Sequence, residues 1–166
     1  MRAVSVRGGS KQSTLDKEPK TQPGLARRRI LLVDDDAELL DTTSALLEDD
    51  YDVLTASSGE QALGVLAKTS VAVVCADYKM TGMSGLELLH AVRERCPGTA
   101  GVLITGMREN LGRSVIGDEA VFAVIYKPYD ALRLLETVRD AARTVSMASA
   151  AASFANRSGR LKRHGA

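Results

Sequence analysis

The sequence has little of what membrane-spanning, secreted and metal-thiolate proteins are built on. None of its apolar runs approaches the roughly 20 residues that a membrane-spanning helix needs. No apolar segment follows the arginine near the amino terminus, as it would in a secretory signal. The two cysteines, Cys75 and Cys96, match no metal-ligand spacing and have no histidine near them in sequence. We therefore expect a cytoplasmic protein with reduced thiols, and we place Cys75 in the core.

Charge is unevenly distributed along the 166 residues. The formal net charge is only +1. Residues 1–29 nevertheless carry +6 and residues 145–166 carry +4, which leaves −9 for the segment between them. An acidic central segment with two basic flanks indicates a domain and two segments of different character.

The composition predicts how these segments are organised. Residues 1–28 read as a disordered basic leader, residues 29–144 as one domain, and residues 145–166 as a basic tail rich in Ala and Ser. The alanines of this tail could extend the last helix, but we expect that helix to fray and to pass into a disordered tail. The run Arg27-Arg28-Arg29 is either a solvated linker edge or an anion-binding patch. No aromatic residue is interleaved with it, so we expect at most weak nucleic-acid binding through the basic segments.

Five apolar runs alternate with helical patterns inside the domain. The predicted strands are 30–33, 51–55, 71–77, 101–105 and 121–126. Helical stripes follow them, with Leu46 on the inner face of the first helix and Leu132 on that of the last. Met107–Gly117 has a thin apolar face and is predicted as a helix as well. The alternation predicts an α/β, flavodoxin-like (βα)5 fold: a five-stranded parallel sheet in the order 2-1-3-4-5 with helices on both faces.

Polar residues follow the predicted strands at the edge where open α/β sheets bind their ligands. Asp34 and Asp35 follow the first strand, Asp77 ends the third, Thr105 ends the fourth and Lys127 follows the fifth. Because the first and third strands are neighbours in the predicted order, we expect their carboxylates to lie side by side. Clustered carboxylates repel one another unless a cation lies among them, and oxygen ligands at an open face suit Mg²⁺.

These side chains are the ones that an aspartyl-phosphate site needs. The carboxylate of Asp77 is the candidate nucleophile. Mg²⁺ and the ammonium of Lys127 would neutralise the phosphoryl oxygens, and the hydroxyl of Thr105 would hydrogen-bond the attached group. Each residue alone has a plainer interpretation: Asp34 and Asp35 as helix caps, Thr105 as an ordinary strand-end hydroxyl. Their convergence at one edge favours the phosphoryl-transfer interpretation, with Asp36 left as the helix cap.

At this point the sequence resembles the receiver domains of two-component response regulators, from Arg29 to about Arg143. The resemblance is carried by Val33-Asp34-Asp35, Asp77 through Gly85, Ile104-Thr105-Gly106 and Lys127-Pro128. It implies phosphorylation of Asp77 and an Mg²⁺ cofactor held by Asp34, Asp35, Asp77 and the backbone carbonyl of Lys79. It also implies a phosphoryl contact from Lys127 and a switch hydroxyl on Thr105. The implied donor is a phosphohistidine on a sensor histidine kinase or phosphotransfer protein, or a small acyl phosphate.

Three positions depart from the receiver pattern. Thr81 stands where receivers usually have proline, and Val124 stands where they usually have the switch aromatic, although Phe122 and Tyr126 lie on the same side of that strand. Gly106 is small and should leave the phosphoryl group open to water or a phosphatase. The resemblance further implies that phosphorylation shifts the face formed by the fourth predicted helix and the fifth strand.

Three functions are open at this stage. The first is a single-domain response regulator in a two-component phosphorelay, which signals through binding and is not an enzyme. The second is a receiver-like protein-interaction module that works without phosphorylation. The third is an Mg²⁺-dependent phosphohydrolase; haloacid-dehalogenase-type phosphatases carry a second aspartate where this chain has Lys79, which argues against it. The downstream effector is not specified by the sequence.

Overall fold

The computed structural model describes residues 27–106, 115 and 117–161, without the side chains of residues 153–161. Within this part, five parallel strands form one sheet in the order β2-β1-β3-β4-β5, and four helices accompany it. The strands are β1 (Arg29–Val33), β2 (Asp52–Ala56), β3 (Val73–Asp77), β4 (Ala100–Thr105) and β5 (Ala123–Tyr126). The helices are α1 (Ala37–Leu47), α2 (Gly59–Leu66), α3 (Gly85–Arg95) and α4 (Ala131–Leu161). The predicted fold class and strand order are confirmed.

Two hydrophobic layers cover the two faces of the sheet. Because successive side chains of a strand point to opposite faces, Leu31 and Val33 pack with α2 and α3, while Ile30 and Leu32 pack with α1 and α4. The central strand β3 is buried along its whole length, as expected for a parallel strand covered on both sides. Cys75 is 1% exposed within this strand, which confirms its placement in the core.

Side-chain caps begin the helices at the carboxyl edge of the sheet. Asp36 accepts hydrogen bonds from the backbone N–H groups of Glu38 and Leu39, which confirms it as the cap of α1. Ser58 caps α2, and Asp130 accepts from the backbone N–H of Arg133 at 2.7 Å. Each such cap stabilises its helix by about 1 kcal/mol. Together they fix the directions in which the chain leaves the strand ends.

The predictions that Leu46 and Leu132 face the core are wrong. Leu46 is 36% exposed and Leu132 is 64% exposed. The buried face of α1 instead includes Ser44, and that of α4 includes Leu134. Both errors have the same cause: the adjoining leucines allow two phases of the apolar stripe, and packing against the sheet selects one of them. The predicted helix Met107–Gly117 lies outside the described residues, apart from Val115 and Gly117.

The last helix continues well beyond the sheet. α4 comprises 31 residues, a length of roughly 46 Å at 1.5 Å per residue. The Ala-rich residues from 145 to 161 therefore extend the helix, where the sequence pattern had predicted a frayed helix that passes into a disordered tail. Across the described residues, no helix combines the length and the apolar character that crossing a membrane would require.

The arginine run is tied to the domain. Arg27 Nη1 donates to the carbonyl of Glu48 at the end of α1, and Arg28 Nη1 donates to the carbonyl of Ala142 in α4, both at 2.7 Å. Arg29 Nε lies 2.9 Å from Oδ2 of Asp52 on the neighbouring strand. The interpretation as a solvated linker edge misses these bonds, which anchor the start of β1 to two helices and a strand.

Candidate functional site

The strand register gathers the polar residues at the carboxyl edge of the sheet. Val33 on β1 pairs with Ala76 on β3, so Asp34 and Asp77 follow at the same level. On the other side of β3, Asp77 pairs with Ile104 of β4. Thr105 in turn pairs with Tyr126, after which the chain continues directly to Lys127. Neighbouring strands lie about 4.8 Å apart, so side chains from four positions reach a common space.

Lys127 bridges the two buried carboxylates. Its Nζ lies 2.6 Å from Oδ1 of Asp77 and 3.1 Å from Oδ2 of Asp34. The side chains of Asp34 and Asp77 are only 13% and 10% exposed. Burial lowers the pKa of Lys127, but the hydrogen bonds and negative charges of Asp77 and Asp34 outweigh it and raise the pKa overall. The ammonium therefore stays charged and serves both carboxylates.

Backbone amides hold the remaining oxygens of these two carboxylates. Oδ2 of Asp77 accepts from the backbone N–H of Lys79 at 2.8 Å. Oδ1 of Asp34 accepts from the backbone N–H of Asp36 at 3.0 Å. Such charge-assisted hydrogen bonds restrict the rotation of a carboxylate. The site thus presents two oriented carboxylates with one shared cation.

Asp35 is held by a different contact from those of this ion cluster. Its exposed carboxylate accepts two hydrogen bonds at Oδ2 from Thr81, one from the backbone N–H at 3.0 Å and one from Oγ1 at 3.1 Å. The backbone hydrogen bond from Thr81, followed by the side-chain one, lowers the pKa of Asp35. Thr81 was noted in the sequence only as a departure from proline, and its two donors were the available signal for this role.

Thr105 is buried at the same edge. Its side chain belongs to a residue that is 1% exposed, and its carbonyl accepts from the backbone N–H of Lys127 at 2.7 Å. The peptide bond between Lys127 and Pro128 is cis. From the end of β5 the Lys127 side chain reaches across β4 to Asp77.

The loop between Asp77 and α3 packs closely beneath the site. A Cβ added at Gly85 would overlap the backbone carbonyl of Asp77, so only glycine allows α3 to begin this near to β3. The Gly85 N–H also donates to the carbonyl of Tyr78 at 3.1 Å. Gly82 has φ 81°, a left-handed conformation that favours glycine. These two glycines shape the loop that carries Lys79 and Thr81.

The donor set fits Mg²⁺ in kind. Carboxylate oxygens of Asp34, Asp35 and Asp77, with the carbonyl of Lys79, are the hard ligands that Mg²⁺ takes at open phosphate-binding sites. Over the described ranges, however, no three acidic, His or Cys side chains are grouped as a metal site. Lys127 lies between two of the carboxylates, and both Thr81 hydrogen bonds fall on one oxygen, Oδ2, of the third.

This chain is similar to known proteins in sequence and in structure. The family model of the response regulator receiver domain matches residues 30–139, which contain every residue of this edge. The chain belongs to the response regulator receiver domain family. Receiver domains are the signalling modules of two-component systems.

Individual relatives agree with this assignment. The chain is 33% identical over 110 residues to a response regulator receiver protein from Anaeromyxobacter sp. (strain Fw109-5), covering 66% of this chain and 46% of that protein. It is 32% identical over 113 residues to the hydrogenase transcriptional regulatory protein HoxA from Cupriavidus necator, covering 68% of this chain and 23% of that protein. The chain thus spans less than half the length of these relatives.

A solved structure has the same fold. The CheY-like response regulator receiver domain protein from Methanospirillum hungatei JF-1 superposes with a TM-score of 0.68 and 31% sequence identity. The match covers 74% of this chain and 98% of that one. About a quarter of this chain therefore has no counterpart in the compared structure.

Proposed function

We propose that this receiver domain accepts a phosphoryl group on Asp77 from a phosphohistidine donor and passes the signal on through a change of conformation. A carboxylate oxygen of Asp77 forms the new P–O bond as the P–N bond to the donor imidazole breaks. The imidazole leaves with the bonding electrons and takes up a proton. The observation that carries the proposal is the position of Lys127, whose ammonium lies within hydrogen-bond distance of the acceptor carboxylate.

Lys127 has a second task after transfer. Formation of the acyl phosphate removes one negative charge from Asp77 but brings in phosphoryl oxygens that carry more. The ammonium, now shared by Asp77 and Asp34, is the nearest described cation for those oxygens. A partly buried cation that needs little rearrangement stabilises such developing charge more effectively than one recruited from solvent. We therefore assign the phosphoryl contact to Lys127.

Asp34, Asp35, Asp77 and the carbonyl of Lys79 would hold Mg²⁺. When bound, the cation neutralises phosphoryl oxygens during transfer. The protein supplies the orientation, because backbone N–H groups already fix one oxygen each of Asp34 and Asp77. Asp35 would have to present Oδ1 or give up the hydrogen bonds from Thr81, since these engage Oδ2.

Thr105 is the proposed switch hydroxyl, and β5 carries the proposed response. Thr105 and Tyr126 pair across β4 and β5, so their side chains lie on the same face of the sheet. Tyr126 and Val124 both pack against the layer formed with α2 and α3. Movement of Thr105 toward an attached phosphoryl group would therefore displace the side chain of Tyr126 first. Tyr126 also supplies an aromatic ring, which Val124 does not have.

The test is labelling by a small acyl phosphate with Mg²⁺, followed by intact-mass measurement. We expect a mass increase of one phosphoryl group in the wild type and none in Asp77→Asn. Asp36→Asn is the matched control, because asparagine caps a helix about as well as aspartate. It should be labelled like the wild type. Labelling that persists in Asp77→Asn would remove Asp77 from the proposal.

A receiver-like interaction module that works without phosphorylation is the second candidate. The observation in its favour is that Asp35 is bound to Thr81 and the carboxylates are not grouped around a cation site in the described residues. Such a module would bind its partner equally well with and without Mg²⁺ and acyl phosphate. A pull-down under both conditions, with wild type and Asp77→Asn, distinguishes the two candidates.

We also propose that residues 29–144 are the phosphoryl-accepting unit, with residues 1–28 and 145–166 as basic flanking segments. The family match over residues 30–139 supports these limits. The proposed donor is a sensor histidine kinase or a phosphotransfer protein in the cytoplasm. Labelling of a chain comprising residues 27–145 at the full-length rate would support this division.

A further inference from the structure

The hydrogen bonds between Thr81 and Asp35 join parts of the chain that are 46 residues apart. Thr81 lies in the loop after Asp77, and Asp35 follows β1. Both donors of Thr81, its backbone N–H and its Oγ1, reach the same oxygen of Asp35, Oδ2. We propose that Thr81 is a positioning residue that holds Asp35 as a latch and thereby weakens Mg²⁺ binding at the site.

The latch competes with a cation for the carboxylate of Asp35 at Oδ2, the oxygen that accepts both hydrogen bonds. A carboxylate oxygen that accepts two hydrogen bonds has its lone pairs engaged, and a metal ion needs those lone pairs for coordination. Asp34 and Asp77 remain at the ion cluster on Lys127, while Asp35 is held by the loop. Assembly of three carboxylates around one cation through Oδ2 of Asp35 would therefore require the Thr81 hydrogen bonds to break or to be shared.

The residue type at position 81 decides whether this latch exists. Receiver domains usually have proline at this position. Proline has neither an amide hydrogen nor a hydroxyl. Threonine supplies both donors, and the hydroxyl of this exposed residue donates to Asp35. The residue type at position 81 thus sets the Mg²⁺ concentration at which the site binds the ion.

The inference rests on the proposed Mg²⁺ site, and its test separates the two. Mg²⁺ is titrated into the full chain by calorimetry, for the wild type and for three variants that keep two, one or no donors: Thr81→Ser, Thr81→Val and Thr81→Pro. Because each lost donor removes one competing hydrogen bond, we expect binding about threefold tighter in Thr81→Val and about tenfold tighter in Thr81→Pro. Thr81→Ser should bind like the wild type.

Two controls exclude a general effect on the fold. Thr144→Val removes an exposed hydroxyl that donates to the carbonyl of Asp140 in α4, and it should leave the Mg²⁺ affinity unchanged. In an Asp35→Asn background, Thr81→Pro should no longer tighten binding, because the latched carboxylate is gone. A change that merely loosens the loop would tighten or weaken binding in both backgrounds.

Each outcome decides something. Graded tightening that depends on Asp35 supports the latch, including the case in which only the variants bind Mg²⁺ measurably. Wild-type binding that is unchanged or weakened in Thr81→Val and Thr81→Pro overturns the latch and leaves the metal site intact. Absence of Mg²⁺ binding in all chains overturns the latch and the proposed metal together. Thermal unfolding of each variant without metal shows that the comparison is made between folded proteins.

Discussion

The ammonium of Lys127 lies 2.6 Å from Oδ1 of Asp77, across the width of strand β4. The same ammonium also reaches Asp34 at 3.1 Å. One cation thus compensates two carboxylates whose side chains are nearly buried. The stability of this edge and its proposed chemistry depend on the same side chain.

Lys127→Met should destabilise the domain. It leaves Asp34 and Asp77 facing each other without their counter-charge, and we expect a loss of about 1–3 kcal/mol, since the site keeps some access to solvent. Urea unfolding at neutral pH measures this loss. The exposed Lys68→Met is the matched control and should change stability by less than about 0.5 kcal/mol.

Adding Asp34→Asn to Lys127→Met should recover part of the lost stability, because it removes one of the two repelling charges. Equal stability of Lys127→Met and Lys68→Met would show that the ion cluster contributes nothing to folding. Failure of Asp34→Asn to recover stability would assign the loss to side-chain packing of Lys127 instead.

Gly85→Ala and Gly64→Ala should act in opposite directions. A methyl group at Gly85 would overlap the carbonyl of Asp77, so we expect a loss of about 2 kcal/mol or more together with slower phosphoryl acceptance. Nothing lies within 4 Å of a Cβ at Gly64 in α2, and alanine there should stabilise by up to about 1 kcal/mol. Urea unfolding and acyl-phosphate labelling of both variants check this pair. A neutral Gly85→Ala would mean that α3 can shift away from the site at little cost.

Cys75 should be unreactive in the folded protein. Burial raises the pKa of its thiol to about 12 from an ordinary value of 9.0. In a Cys96→Ser variant, a thiol reagent at mildly alkaline pH should therefore modify the chain only after urea is added. Rapid modification of this variant without urea would contradict the observed burial.

The same thiol makes stability fall at alkaline pH. The unfolded chain loses the Cys75 proton near pH 9, whereas the folded chain keeps it until about pH 12, so folding stability decreases as the pH rises through that interval. The raised pKa values of Lys127 and Tyr51 act in the same direction. Cys75→Ala should show a shallower decline than the wild type, measured as the urea midpoint between pH 8 and pH 11.

Most of the fold could be predicted because it depends on local patterns. Short apolar runs such as 30–33 and 101–105, separated by helical stripes, admit few arrangements once right-handed crossovers are required. The errors concern which face of a helix is buried, and they arose where two adjacent faces were equally apolar in sequence. Leu132 was predicted inward and Leu134 is the buried residue, since the contact with β4 and β5, and not the pattern, selects the face.

The arginine run illustrates the same limit on a larger scale. Its composition indicated solvent or an anion, and nothing in the local sequence indicated acceptors at Glu48 and Ala142. Arg28 and Ala142 are 114 residues apart in sequence, and only the folded chain brings the arginine within hydrogen-bond distance of α4.

The sequence by itself determined which chemical groups stand at the carboxyl edge: Asp34, Asp77, Thr105 and Lys127 each follow an apolar strand, and the strand order makes them neighbours. The tertiary structure alone decided how those groups are paired. Lys127 could have faced solvent and Asp35 could have joined the other carboxylates, since both outcomes suit the same strand pattern. Side-chain rotamers at a crowded edge are set by contacts between distant segments, and here Thr81 holds Asp35 while Asp34 and Asp77 share Lys127.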